Sequence, residues 1–130
     1  MSTIIDSIRA LPGLFALRGA SEVQISQAET RLGTTFDAQY REYLSAFGCI
    51  SYGSHELTGL CDSPRLNVAD VTQAALAANP DIPRTWYVIE EAGMDGMLIW
   101  QSPEGGIYMS VPGRAADRIA NSILDYLHKE

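Results

Sequence analysis

Residues 88–109 read VIEEAGMDGMLIWQSPEGGIYM. Two apolar runs, 86–89 and 97–100, flank an Asp95-Gly96 pair, and a second turn-rich segment, 102–106, leads into Ile107, Tyr108 and Met109. Asp-Gly supplies the positive φ that tight hairpins need, so this stretch predicts three antiparallel strands joined by two turns. That reading places Glu90, Glu91, Asp95 and Glu104 at strand ends and turns, where carboxylates are normally solvated. A calcium loop would need an alternating acidic ladder, and Asp95 is followed by Gly96 and Met97. The four carboxylates therefore read as turn chemistry rather than as a metal or acid–base site.

Upstream, helical periodicity dominates. Ile4, Ile5, Ile8 and Leu11 share one helical face, and Pro12-Gly13 ends it. The following LFALRG reads as a loose apolar segment. Ser21 with Gln24 forms a capping-box pattern, Ile25, Ala28 and Leu32 recur at helical spacing, and Gly33 supplies a left-handed end. Asp37 caps a helix carrying the stripe Tyr40, Tyr43, Leu44 and Phe47, with Gly48 as its stop. Residues 57–60 suit a short strand. Asn67 caps a helix through Ala78 that Asn79-Pro80 ends, and 116–127 repeats apolar residues at helical spacing. The fold class expected is α+β: one domain over 1–130, a mostly antiparallel sheet with a three-stranded meander, and flanking helices.

The 130 residues carry a net charge of −7. Residues 50–104 hold two arginines against eight carboxylates, a net −6, while 105–130 balance. Such a surface repels nucleic acid and anionic membrane and attracts a basic protein. Asp6 and Arg9 interrupt the first apolar run, which argues against a signal peptide, and no apolar stretch approaches membrane-spanning length. A cytoplasmic location is expected. Cys49 and Cys61 lack zinc spacing and read as free thiols. No phosphate-binding glycine loop, dinucleotide fingerprint or nucleophile elbow is present. Cys49 with His55 is the one conceivable thiol–imidazole pair, and nothing in the spacing fixes it. No catalytic residue, cofactor or metal is therefore expected. Glu56 reads either as a capping carboxylate or as an exposed partner contact.

Taken in order, the segments resemble the SUKH superfamily. ISQAETRLGTTFDAQYREYLSAFG, HELTGL, VADVTQ, PRTWYVIEEAGMDGMLIW, GGIYM and IANSILDYL follow that superfamily's order across 21–128. Two departures stand out: Asp37 occupies a place usually held by proline, and Leu76 lies near an expected arginine. The resemblance implies an α+β binding domain without catalytic residues. The superfamily includes bacterial immunity proteins that neutralise toxins, often nucleases, and fungal cell-wall-assembly regulators. The expected function is neutralisation of a cognate toxin with a basic surface, through Glu56, Asp62, Glu90, Glu91, Asp95 and Glu104. Trp86, Tyr87 and Trp100 are either aromatic anchors or sheet core. A regulatory or scaffold module is the alternative, and a small enzyme the third. The oligomeric state is not legible.

Overall fold

The computed structural model describes residues 3–91 and 96–128. The chain runs α1 (Thr3–Arg9), β1 (Phe15–Arg18), α2 (Glu22–Leu32), α3 (Ala38–Ala46), β2 (Phe47–Tyr52), β3 (His55–Leu57) and α4 (Val68–Ala78). It continues through β4 (Tyr87–Glu91), β5 (Leu98–Gln101), β6 (Ile107–Ser110), β7 (Asp117–Ala120) and α5 (Ile123–Leu127). Among the described residues the strands form one seven-stranded sheet whose spatial order is the chain order. Every neighbouring pair is antiparallel. The expected three-stranded meander is thus the β4–β5–β6 part of a longer one.

The helix starts follow from local chemistry. Ser21 Oγ accepts from Gln24 N at 3.1 Å while Ser21 N donates to Gln24 Oε1 at 2.8 Å, closing the capping box. Asp37 accepts from Gln39 N at 3.0 Å. Asn67 Oδ1 accepts from Ala69 N and Asp70 N, at 3.0 and 3.2 Å, and its amide donates to Cys61 O. These bonds satisfy backbone groups that a helix terminus leaves open. Asn67→Ala removes all three and should lower stability by about 1–2 kcal/mol, read as a lower urea midpoint at constant slope.

Four expectations are corrected. The loose segment after Gly13 is the edge strand β1. All four of its residues are exposed, so it shows no burial alternation of the kind that marks a strand. Phe47 leaves helix α3 and opens β2, because the chain passes from Ala46 straight into the sheet. Its burial serves either state, so the stripe could not separate them. The strand expected at 57–60 ends at Leu57 instead. Finally, 116–127 is not one helix but β7, a turn, and the short α5 capped by Ser122 Oγ, which accepts from Asp125 N at 3.0 Å. Gly96 has the positive φ expected of a hairpin, 73°. Its partner in that reading, Asp95, lies outside the described residues.

Alternation along the strands gives the sheet two apolar faces. One carries Tyr87, Ile89, Ile99 and Ile107 against residues of α1, α2, α3 and α5, including Ile8, Ile25, Tyr40 and Ile123. The other carries Val88, Leu98 and Trp100 against Val71 and Ala75 of α4 and Ile82. Trp100 is fully buried there and its indole donates to Ser110 Oγ at 2.9 Å. Tyr87 is fully buried on the first face. Both are core, not anchors.

Candidate functional site

Among the described residues the α4 face of the sheet has a single helix over it, and the space beside that helix is a groove of about 1300 Å³. Val71, Ala74, Ala75 and Ala78 of α4 form one wall, and Leu98 with 110–116 faces them. Alanine makes this wall low, because a methyl fills little of the gap between helix and sheet. Arg84 braces the end of α4. Its guanidinium donates to the carbonyls of Leu76 at 2.8 Å, Asn79 at 2.5 Å and Ile82 at 2.7 Å, where the helix dipole favours a cation. Pro80 to Pro83 is held as a second wall by these bonds. Trp86, half-buried, stacks on Tyr108 with ring centroids 4.0 Å apart and lines the groove. At the other end, a Cβ on Gly96 would lie 2.9 Å from Pro112 Cγ, so glycine lets Pro112 close in.

The groove floor is apolar and its rim is charged by Arg65, Asp70, Asp81, Glu91 and Arg114. Asp70 is held by Arg31 at 2.5 Å. A cleft of this size, apolar inside and charged at the rim, can take up side chains of a partner or a small ligand. Among the described residues, no three His, Cys, Asp or Glu side chains gather as a metal site requires.

The six expected contacts separate. Glu56 is exposed and bound by Arg65 in a fork, at 2.8 and 3.3 Å. Those hydrogen bonds hold its carboxyl below its ordinary value. The guanidinium of Arg65 also lies within electrostatic reach of Glu91, which is exposed on the groove side. Asp62 is exposed on the loop before Arg65. Arg65 and Glu91 line one end of the groove, and Glu56 is joined to that end through Arg65, while Asp62 does not line it. Glu104 is exposed on the β5–β6 turn, at the opposite end of β5. That strand alone spans about 10 Å, so Glu104 does not join the others. Asp95 lies outside the described residues.

Glu90 corrects the expectation of a solvated carboxylate: it is 4% exposed. The cause is a bulge. Val88 lies opposite Trp100 but Glu90 lies opposite Ile99, so Ile89 is an extra residue on β4. The bulge turns Glu90 onto the face of Ile99, under α5. There it accepts from Tyr126 Oη at 2.5 Å and sits 3.0 Å from His55 Nδ1. His55 in turn stacks on Tyr52. Glu90 thus ties β3, β4 and α5 together and is not presented to a partner.

A full antiparallel meander with helices on both faces defines a small α+β domain. The family model SUKH_5, described as SMI1-KNR4 cell-wall, matches residues 1–130, and the chain belongs to that family. No curated protein shows a significant match to the sequence. Among solved structures, a protein from Pseudomonas syringae pv. tomato has the same fold, with a TM-score of 0.77 at 17% identity over 99% of this chain and 96% of that one. No helix among the described residues is long and apolar enough to cross a membrane.

Proposed function

We propose that this protein is an immunity protein that binds and neutralises a cognate toxin, with the groove beside α4 as the contact surface. The observation that carries the reading is the groove itself, an apolar floor that no helix among the described residues covers. The family's mode of action, protein–protein interaction, supports it. The net charge of −7 suits a partner with a basic surface, because opposite charge raises the association rate. Nuclease toxins present such surfaces to bind phosphate. Asp81 and Glu91 on the rim, with Glu56 and Asp62 beside Arg65, are the acidic contacts, and Trp86 is the aromatic anchor. The words "cell-wall" in the family description favour the alternative, a regulatory module for an endogenous protein partner.

The experiment is a binding and rescue assay with the product of the adjacent gene. Wild-type protein should bind it and restore growth of cells that express it. Ala78 is exposed on the groove wall, so Ala78→Arg should fill the groove and leave the fold intact. Affinity should fall about tenfold or more with the melting temperature unchanged. Wild-type affinity in this variant would move the contact elsewhere. No binding and no rescue by the wild type would leave the regulatory alternative.

A further inference from the structure

Cys49 in β2 and Cys61 in the loop after β3 approach each other, Sγ to Sγ at 3.0 Å. Cys49 is buried and Cys61 is half-buried. The contact is held by backbone on both sides. Leu60 N donates to Gly48 O at 2.8 Å, next to each cysteine, and Asn67 Nδ2 holds Cys61 O at 3.1 Å. A disulfide has its sulfurs about 2 Å apart, so closure requires roughly 1 Å of movement. We infer that Cys49 and Cys61 are a redox-modification site, closing to an intramolecular disulfide when the protein meets a peroxide.

The chemistry balances with hydrogen peroxide as the two-electron oxidant. Cys61 is the more accessible sulfur and reacts first. Its thiolate attacks one peroxide oxygen, the O–O bond breaks, and a sulfenic acid forms with release of hydroxide, which takes up the thiol proton as water. Cys49 then attacks the sulfenic sulfur. The S–S bond forms, the S–O bond breaks, and the departing hydroxide leaves as water with the Cys49 proton. The two sulfurs lose two electrons, the peroxide gains two, and two waters result. Burial pushes the Cys49 thiol well above its ordinary value, which makes it a poor first target. Its attack succeeds through proximity rather than acidity.

The consequence reaches the groove. Cys61 opens the loop that carries Pro64 and Arg65, and both line the groove at its acidic end. The disulfide would staple this loop to β2 and fix the Glu56–Arg65 fork beside it. This inference does not depend on which protein the groove binds.

The test uses the full chain, treated with excess hydrogen peroxide, quenched, denatured and alkylated with N-ethylmaleimide. The expected product is a monomer about 2 Da lighter that takes no label and regains both thiols under dithiothreitol. Its melting temperature should rise by about 5 °C or more, and amide exchange over 61–67 should slow. Cys61→Ser, a substitution at a half-buried loop position, should abolish the mass change and both shifts. Two labelled thiols after peroxide, a sulfinic acid at Cys61, or a disulfide-linked dimer would each overturn the inference. A disulfide that forms with unchanged exchange over 61–67 would overturn its coupling to the groove.

Discussion

Gly59→Ala is expected to lower stability by more than about 3 kcal/mol, enough to leave a marginal domain largely unfolded. A Cβ at this position would lie 1.7 Å from Gly48 O, 2.8 Å from Gly48 C and 3.0 Å from Cys49 Sγ. The obstacle is backbone, so no side chain can swing aside. Nor can the segment retreat. Gly59 N donates to Leu66 O at 2.8 Å, Val68 N donates to Gly59 O at 2.7 Å, and Leu60 N donates to Gly48 O at 2.8 Å. Moving Gly59 outward by the distance a methyl needs would break at least one of these. Gly53 provides the contrast. It has φ 55° with open space around it, so Gly53→Asn, a residue that tolerates left-handed backbone, should change stability by less than about 1 kcal/mol. Urea unfolding of both variants distinguishes crowding from conformation. A Gly59→Ala protein with a near-wild-type midpoint would mean that β2 and the 58–60 segment do not cross this closely.

The features legible in the sequence are those a few neighbouring residues create. The caps at Ser21, Asp37 and Asn67 are bonds between a side chain and backbone two or three positions on. The left-handed Gly33 and Gly96 answer to single-residue sterics. The family motifs add long-range order, and the α+β class with its antiparallel meander follows from both. The errors have a common source in context. An exposed edge strand such as β1 carries no alternation, and the apolar spacing of Ile119, Ala120, Ile123, Leu124 and Leu127 serves a strand, a turn and a short helix as well as one helix. The facing of Glu90 is not legible in β4 because it depends on a bulge, and a bulge is set by register with β5 rather than by the residues of β4 alone. The groove is built from α4, the 80–83 segment and 110–116, with Asp70 and Ala116 46 positions apart, so no local pattern announces it. The one trace in the sequence is the alanine run of α4, which is a sign of a low wall only once the sheet opposite is known.

Stability should collapse above pH 10, by about 4 kcal/mol for each further pH unit. Tyr40, Tyr43 and Tyr87 are fully buried, packed against one another and Phe36. Their hydroxyls are committed: Tyr43 donates to Thr58 O at 2.7 Å, Tyr87 to Gln101 Oε1 at 2.8 Å, and Tyr40 meets Thr58 Oγ1 at 2.9 Å. Burial raises all three above the ordinary tyrosine value, since a phenolate there would lose its hydration. A pKa raised in the folded state gives stability that is fully present below the unfolded value, near 10, and is lost as pH climbs toward the folded one. In that window the unfolded chain releases three protons that the native protein keeps, and each contributes about 1.4 kcal/mol per pH unit. The Cys49 thiol, also raised by burial, acts in the same sense from lower pH. Urea titrations between pH 8 and 11 under reducing conditions, about one pH unit apart, measure the slope. Absorbance of tyrosinate should rise together with loss of the circular dichroism signal. Tyr43→Phe removes one of the three protons and should flatten the slope by about 1.4 kcal/mol per pH unit, whatever it does to stability at neutral pH. A flat stability profile through pH 11, or phenolates that form at Tyr40, Tyr43 and Tyr87 while the dichroism signal persists, would mean that water reaches this cluster and that the helix-covered face of the sheet is not sealed.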